Sequence, residues 1–172
     1  GAPQLEHLDP FLLLDEFKSD RADDYAAGFP DHPHRGFETV TYMLAGSMLH
    51  RDHSGNEGHL VAGSVQFDVS LPAGARWRYP LAAGHNAFCY VFEGRALVGP
   101  EDRAREVRAG QLAVLGEGDT VTVATADAPA RFLLVAARPL GEPIARYGPF
   151  VMNTREEVMQ AFRDFSEGSL GT

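Results

Sequence analysis

His32 and His34 stand two residues apart in the run Gly28-Phe29-Pro30-Asp31-His32-Pro33-His34-Arg35-Gly36-Phe37-Glu38-Thr39. Residues two apart on a strand point to one face, so a strand here aims two imidazoles at a single point. Neutral imidazole is the commonest protein ligand for first-row transition metals, and the pair predicts a divalent metal site. Glu38 has the parity of His34. On an unbroken strand it adds a carboxylate and completes a two-histidine, one-carboxylate set of the kind that holds non-haem iron with open positions. Glu38 is therefore the candidate catalytic residue, as third ligand or proton acceptor, and Arg35-Gly36 is the place where a bend would spoil the parity.

The other chemistry-bearing residues read more plainly. His50, His53 and His59 lie in the polar stretch 50–59, which reads as a solvated loop, or as a hairpin that could bring them to the same opening. His85 has no partner histidine at ligand spacing and reads as a structural hydrogen-bonding group. Trp77 and Tyr79 alternate with Ala75 on one face, which is packing before it is a wall for a flat aromatic substrate. Arg35 could steer an anionic ligand or pair with Asp31 or Glu38. There is no Ser/His/Asp order, Cys/His pair or phosphate-cradling glycine loop; Gly94-Arg95-Ala96 and Gly116-Glu117-Gly118 read as turns.

The elements that must position these groups are short. Phe11–Leu14, Val40–Leu44, Phe88–Phe92, Leu112–Leu115, Thr120–Ala124 and Arg131–Ala137 are apolar runs separated by glycine and proline, the pattern of an all-β chain of barrel or sandwich type. One helix is expected near the end: Thr154 and Glu157 fit a capping box, Val158, Ala161, Phe162 and Phe165 fall on one stripe, and Gly168 is a natural stop. A weak internal repeat matches Phe37–Gly46 to His85–Gly94, with a central tyrosine and a closing glycine in each. The register continues from Val61–Val65 to Arg108–Leu112. Strands follow the second of these segments, whereas beyond Gln66 the chain passes at once into Phe67–Ala75, the opening strand and turn of the next unit. The first unit lacks its back half.

Composition narrows the function classes. The 172 residues, 44% hydrophobic, suit one good-sized domain or two small ones. A formal net charge of −9 leaves no basic footprint for DNA or RNA. No apolar stretch is long enough to span a bilayer, and Gly1-Ala2-Pro3 does not read as a signal peptide. Cys89 is the only cysteine and sits among apolar residues, so a buried, inert thiol in a reducing, cytoplasmic compartment is expected.

The string His32-Pro33-His34-Arg35-Gly36-Phe37-Glu38-Thr39-Val40-Thr41-Tyr42 resembles the motif of the pirin family, within the cupin superfamily. So do Asp9–Phe17, Gly84-His85-Asn86-Ala87-Phe88 and Tyr147–Thr154, so the resemblance covers nearly the whole chain. It implies double-stranded β-helix (cupin) barrels in tandem with a C-terminal helix: a partial first barrel over 1–66 carrying His32 and His34, a second over 67–145, and a tail and helix over 146–172. It also implies one iron, or another divalent ion such as nickel or manganese, in the first barrel. In the family a later His-x-Glu pair joins the two histidines, and no His-x-Glu follows Gln66 here. The function implied is a dioxygenase acting on quercetin-like flavonols. The alternative is a non-enzymatic, iron-dependent redox-sensing cofactor of a transcription regulator. The partners expected are then a small aromatic substrate or a regulator protein, with no direct nucleic acid and no membrane. If the back half of the first barrel is truly deleted, its strand edges invite a homodimer by edge pairing or strand exchange.

Overall fold

Apolar alternation becomes a strand where a neighbouring strand takes up the backbone hydrogen bonds, and this chain shows both outcomes. In the computed structural model, residues 7–24, 28–30, 32–37, 39–44, 46–51, 57–61 and 68–170 are described. They fall into two units, Gly1–Leu12 with Thr41–Leu140, and Leu13–Val40 with Gly141–Thr172.

In the first unit, β1 (Ser47–Arg51) and β2 (Glu57–Val61) pair antiparallel, Leu49 opposite His59 and His50 opposite Gly58. The described residues of the stretch read as a solvated loop, or as a hairpin, thus lie in a pair of strands. A second, curled antiparallel sheet is built from β3 (Asp68–Leu71), β4 (Arg76–Pro80), β5 (Asn86–Val98), β6 (Arg105–Arg108), β7 (Gln111–Val114), β8 (Thr120–Ala124) and β9 (Ala130–Ala137). Its order is β3-β9-β5-β8-β4, with β6 and β7 also laddered to β5. The expectation of a mostly β chain is met.

β5 serves two halves of the sheet, and its burial pattern shows how. Cys89 and Val91 point into the core at odd positions, Ala96 and Val98 at even ones. The switch falls at a register shift between Val91 and Glu93 against β9, a bulge that turns the inward face over. Gly94 follows the bulge, back in register opposite Ala130: its φ is +71°, and a Cβ there would land on the Pro129 carbonyl oxygen. Gly94-Arg95-Ala96, read as a turn, is therefore the middle of one long strand. Gly46, its counterpart in the internal repeat, shares the left-handed backbone at φ +77°. Val121, Val123, Phe132, Leu134 and Leu71 complete the core. Trp77 packs on it with its ring 5.5 Å from Phe132, edge-on, which bears out the packing role. Cys89 is fully buried, and burial pushes its thiol up to about 12, so it carries no thiolate at neutral pH.

In the second unit, β10 (Ala145–Tyr147) and β11 (Phe150–Met152) form a hairpin, followed by helix α1 (Arg155–Ser166). Thr154 accepts from the Glu157 N–H while the Glu157 carboxylate accepts from the Thr154 N–H, the expected capping box. Val158, Ala161 and Phe150 are buried together, with Phe162 alongside, whereas Phe165 stays half exposed.

Two expected strands did not form. Phe11 makes only an isolated bridge to Leu8, and Val40–Leu44 holds no strand. Leu13 is 70% exposed and Val40 86%, and only parts of the two runs are covered: Phe11 packs edge-on 5.1 Å from Phe88, and Tyr42 is half-buried. No helix among the described residues is long and apolar enough to cross a membrane.

Candidate metal centre

The segment carrying the two histidines is no strand: residues 32–34 have no ladder partner, Arg35 makes one isolated parallel bridge to Phe150, and the chain bends at Gly36 and Phe37. Proline at 30 and 33 removes two backbone donors, which explains why no ladder forms. The bend at Gly36 has φ +89°, and a Cβ there would land on the Val151 carbonyl oxygen, with the carbonyl carbon 2.8 Å away. Only glycine lets the chain come this close. The parity argument for Glu38 fails at that bend, and Glu38 itself lies outside the described residues, as do Asp31 and His53.

The imidazoles nevertheless meet. Their ring centroids are 4.6 Å apart at 70°, and the His34 ring also rests against Phe37 at 4.9 Å. His32 Nδ1 lies 2.8 Å from the Pro30 carbonyl oxygen. A carbonyl only accepts, so Nδ1 donates to it and Nε2 is the nitrogen left for an ion. That is the orientation a metal-binding histidine takes when its other nitrogen is held by a carbonyl. Partial desolvation, then the neighbouring His32, hold the His34 pKa below its ordinary 6.5, so the His34 ring is a neutral donor at neutral pH. Two imidazoles, side by side and exposed, fit half the coordination set of a divalent ion. Among the described residues no group of three metal-ligating side chains is assembled.

Arg35 reaches away from the pair. Its described partner is Asp164 on α1, at 2.5 Å, rather than a residue of its own segment. His85 donates from Nδ1 to the Ala82 carbonyl at 3.1 Å, the structural role expected of it. A polar cluster in the first unit was not foreseen: the Tyr42 hydroxyl donates to Asp68 at 2.8 Å, and Arg131 pairs with Asp68 and with Glu93. Burial and the Asp68 carboxylate push the Tyr42 phenol up to about 12. A hollow of about 330 Å³ lined by Leu81, Val98, Arg103, Leu115 and Glu117 includes neither His32 nor His34.

Known proteins share this chain's pattern. Residues 1–74 match the family model described as pirin, and 66–171 the one described as the pirin C-terminal cupin domain. A pirin-like protein of Caulobacter vibrioides is 35% identical over 252 aligned positions, covering 98% of this chain and 90% of that protein. Human pirin is 33% identical over 254 positions, covering 99% and 86%. An alignment of 254 positions that takes in 99% of 172 residues leaves about 84 positions of the relative opposite a gap. The two family matches meet at residues 66–74, the stretch that contains the Gln66–Phe67 junction. A crystal structure of a quercetin 2,3-dioxygenase from Acinetobacter baumannii is 29% identical with a TM-score of 0.54. That match covers 76% of this chain but 47% of that one, so this chain spans about half the length of the solved protein.

Proposed function

This chain belongs to the pirin family of the cupin superfamily, and from that membership we propose that it is a metal-binding cupin. In this reading His32 and His34 hold one divalent transition-metal ion, iron before nickel or manganese, at a site acting on a small flavonol-type substrate. Residues 1–66 are then the remnant of a first barrel, 67–145 the second, and 146–172 the tail and helix.

The observation that carries the reading is the oriented pair itself. The Pro30 carbonyl holds His32 Nδ1, and the His34 ring sits beside it, neutral. His32 and His34 would hold the ion through the nitrogens facing away from the backbone. Phe37 limits rotation of the His34 ring. Glu38 remains the proposed third ligand or proton acceptor. The ion, when bound, supplies Lewis-acid polarisation of an enol or catechol oxygen and a template for dioxygen.

The test is consumption of quercetin under oxygen by the full chain with Fe²⁺, Ni²⁺ or Mn²⁺ added in turn. Metal-dependent turnover that disappears in His34→Ala supports the reading. Full activity in that variant overturns it. Metal binding by the histidines without turnover moves the protein to the competing role, a cofactor of a transcription regulator whose exposed site changes with the state of the iron.

A further inference from the structure

Arg35 follows His34 directly, and it is the most firmly held residue of the histidine segment among those described. Its carbonyl accepts from the Val151 N–H at 3.1 Å, and its backbone bridges Phe150 of β11. Its guanidinium donates to Asp164 Oδ2 at 2.5 Å. The other carboxylate oxygen of Asp164 accepts from Gln160 Nε2 at 2.6 Å, one helical turn earlier. The Asp164 carbonyl in turn accepts from the Ser169 N–H at 2.8 Å, so the end of the helix is tied down as well. Beneath this, Phe150, Val158 and Ala161 are buried together and lock β11 to α1. Arg35 therefore stands between a strand and a helix that are fixed to one another, and each grips it separately.

We propose that Arg35 and Asp164 form a clamp by which the C-terminal helix positions His34 for metal. The inference rests on the metal reading above. An irregular segment with no ladder leaves its side chains free to swing, and a two-imidazole chelate forms tightly only if both rings are already in place. Val151 and Asp164 fix the residue beside His34 at its carbonyl and at its side-chain tip. The Arg35–Asp164 pair is partly exposed, at 42% and 19% for the two side chains, so its loss costs the fold little. Its effect falls on the neighbouring ligand. Arg35 and Asp164 are positioning residues.

Electrostatics alone makes the opposite forecast for one variant, which keeps the test sharp. Removing the positive charge of Arg35 next to a cation site would tighten metal binding by Coulomb's law, whereas loss of the clamp weakens it. The probe is Co²⁺ alone, titrated into the full chain and followed by its visible absorption band, with the melting temperature as a control for folding. Arg35→Gln and Asp164→Asn are each expected to weaken Co²⁺ binding about ten-fold, the size of effect usual for a group that orients a metal ligand. Both should alter the band shape and leave the melting temperature nearly unchanged. Arg35→Lys, which keeps the charge facing Asp164, should recover most of the affinity. Native or tighter binding in Arg35→Gln, with binding lost in His34→Ala, overturns the clamp and leaves the metal reading standing. Undiminished binding in His34→Ala overturns the metal reading and the clamp with it.

Discussion

Gly36→Ala is expected to destabilise the unit formed by Leu13–Val40 and Gly141–Thr172 more than any other single methyl group added there. The added Cβ falls on the Val151 carbonyl oxygen, which is backbone and cannot rotate away as a side chain would. At φ +89° the alanine also takes a left-handed conformation. Left-handed backbone and the forced separation of the two chains together cost about 2–4 kcal/mol. The Val151 N–H to Arg35 carbonyl bond lies next to the clash, so it should break first. Amide exchange measures this directly: Val151 should lose its protection while Val123, in the core of the other unit, keeps its own. Because the same bond fixes the residue after His34, Co²⁺ affinity should fall together with that protection. Equal protection of Val151 in both proteins would show that the approach at Gly36 is not as close as described.

Phe132→Ala should have the largest effect on the first unit. Phe132 is fully buried on β9, opposite Val69 of β3 on one side and Val91 of β5 on the other. The truncation leaves a cavity that the laddered strands cannot close, at a cost of about 3–5 kcal/mol. Against a total of about 5–15 kcal/mol for an ordinary domain, that brings the fold near its limit. Trp77, the single tryptophan, packs edge-on against Phe132 and reports the change without a label. Urea unfolding followed by its fluorescence should show a midpoint well below the native one and an altered native-state signal. Phe132→Leu keeps most of the volume and should cost less than half as much. A midpoint unchanged in Phe132→Ala would mean that Phe132 is not the centre of this core.

Much of the fold was legible because local signals and tertiary partners agreed. Thr120–Ala124 became β8 with the bounds the sequence gives, and Thr154 with Glu157 capped α1 as expected. Where they disagreed, the sequence misled. Val40–Leu44 and Phe11–Leu14 have strand composition, but a strand also needs a neighbour to bond, and among the described residues neither run has a ladder. His32 and His34 were readable as neighbours from their spacing, although the strand expected to align them did not form and their rings meet in an irregular segment. The bend that interrupts the expected strand between them and Glu38 was not, because Gly36 comes against Val151, more than a hundred positions away. The same holds for Arg35: proximity in sequence suggested Asp31 or Glu38, while the described partner, Asp164, comes from the other end of the chain. Gly94 misled in the reverse direction, since a glycine with positive φ serves a close approach inside a strand as well as a turn.

The account depends on an ion held by two neighbouring imidazoles, and metal content tests it most directly. The full chain and a His32→Ala/His34→Ala double variant, each loaded with Fe²⁺ without oxygen and desalted, are compared by elemental analysis. The account predicts about one iron per native chain and almost none in the variant, as expected for a single first-row metal site. Equal iron in the two proteins, or none in either, would contradict it.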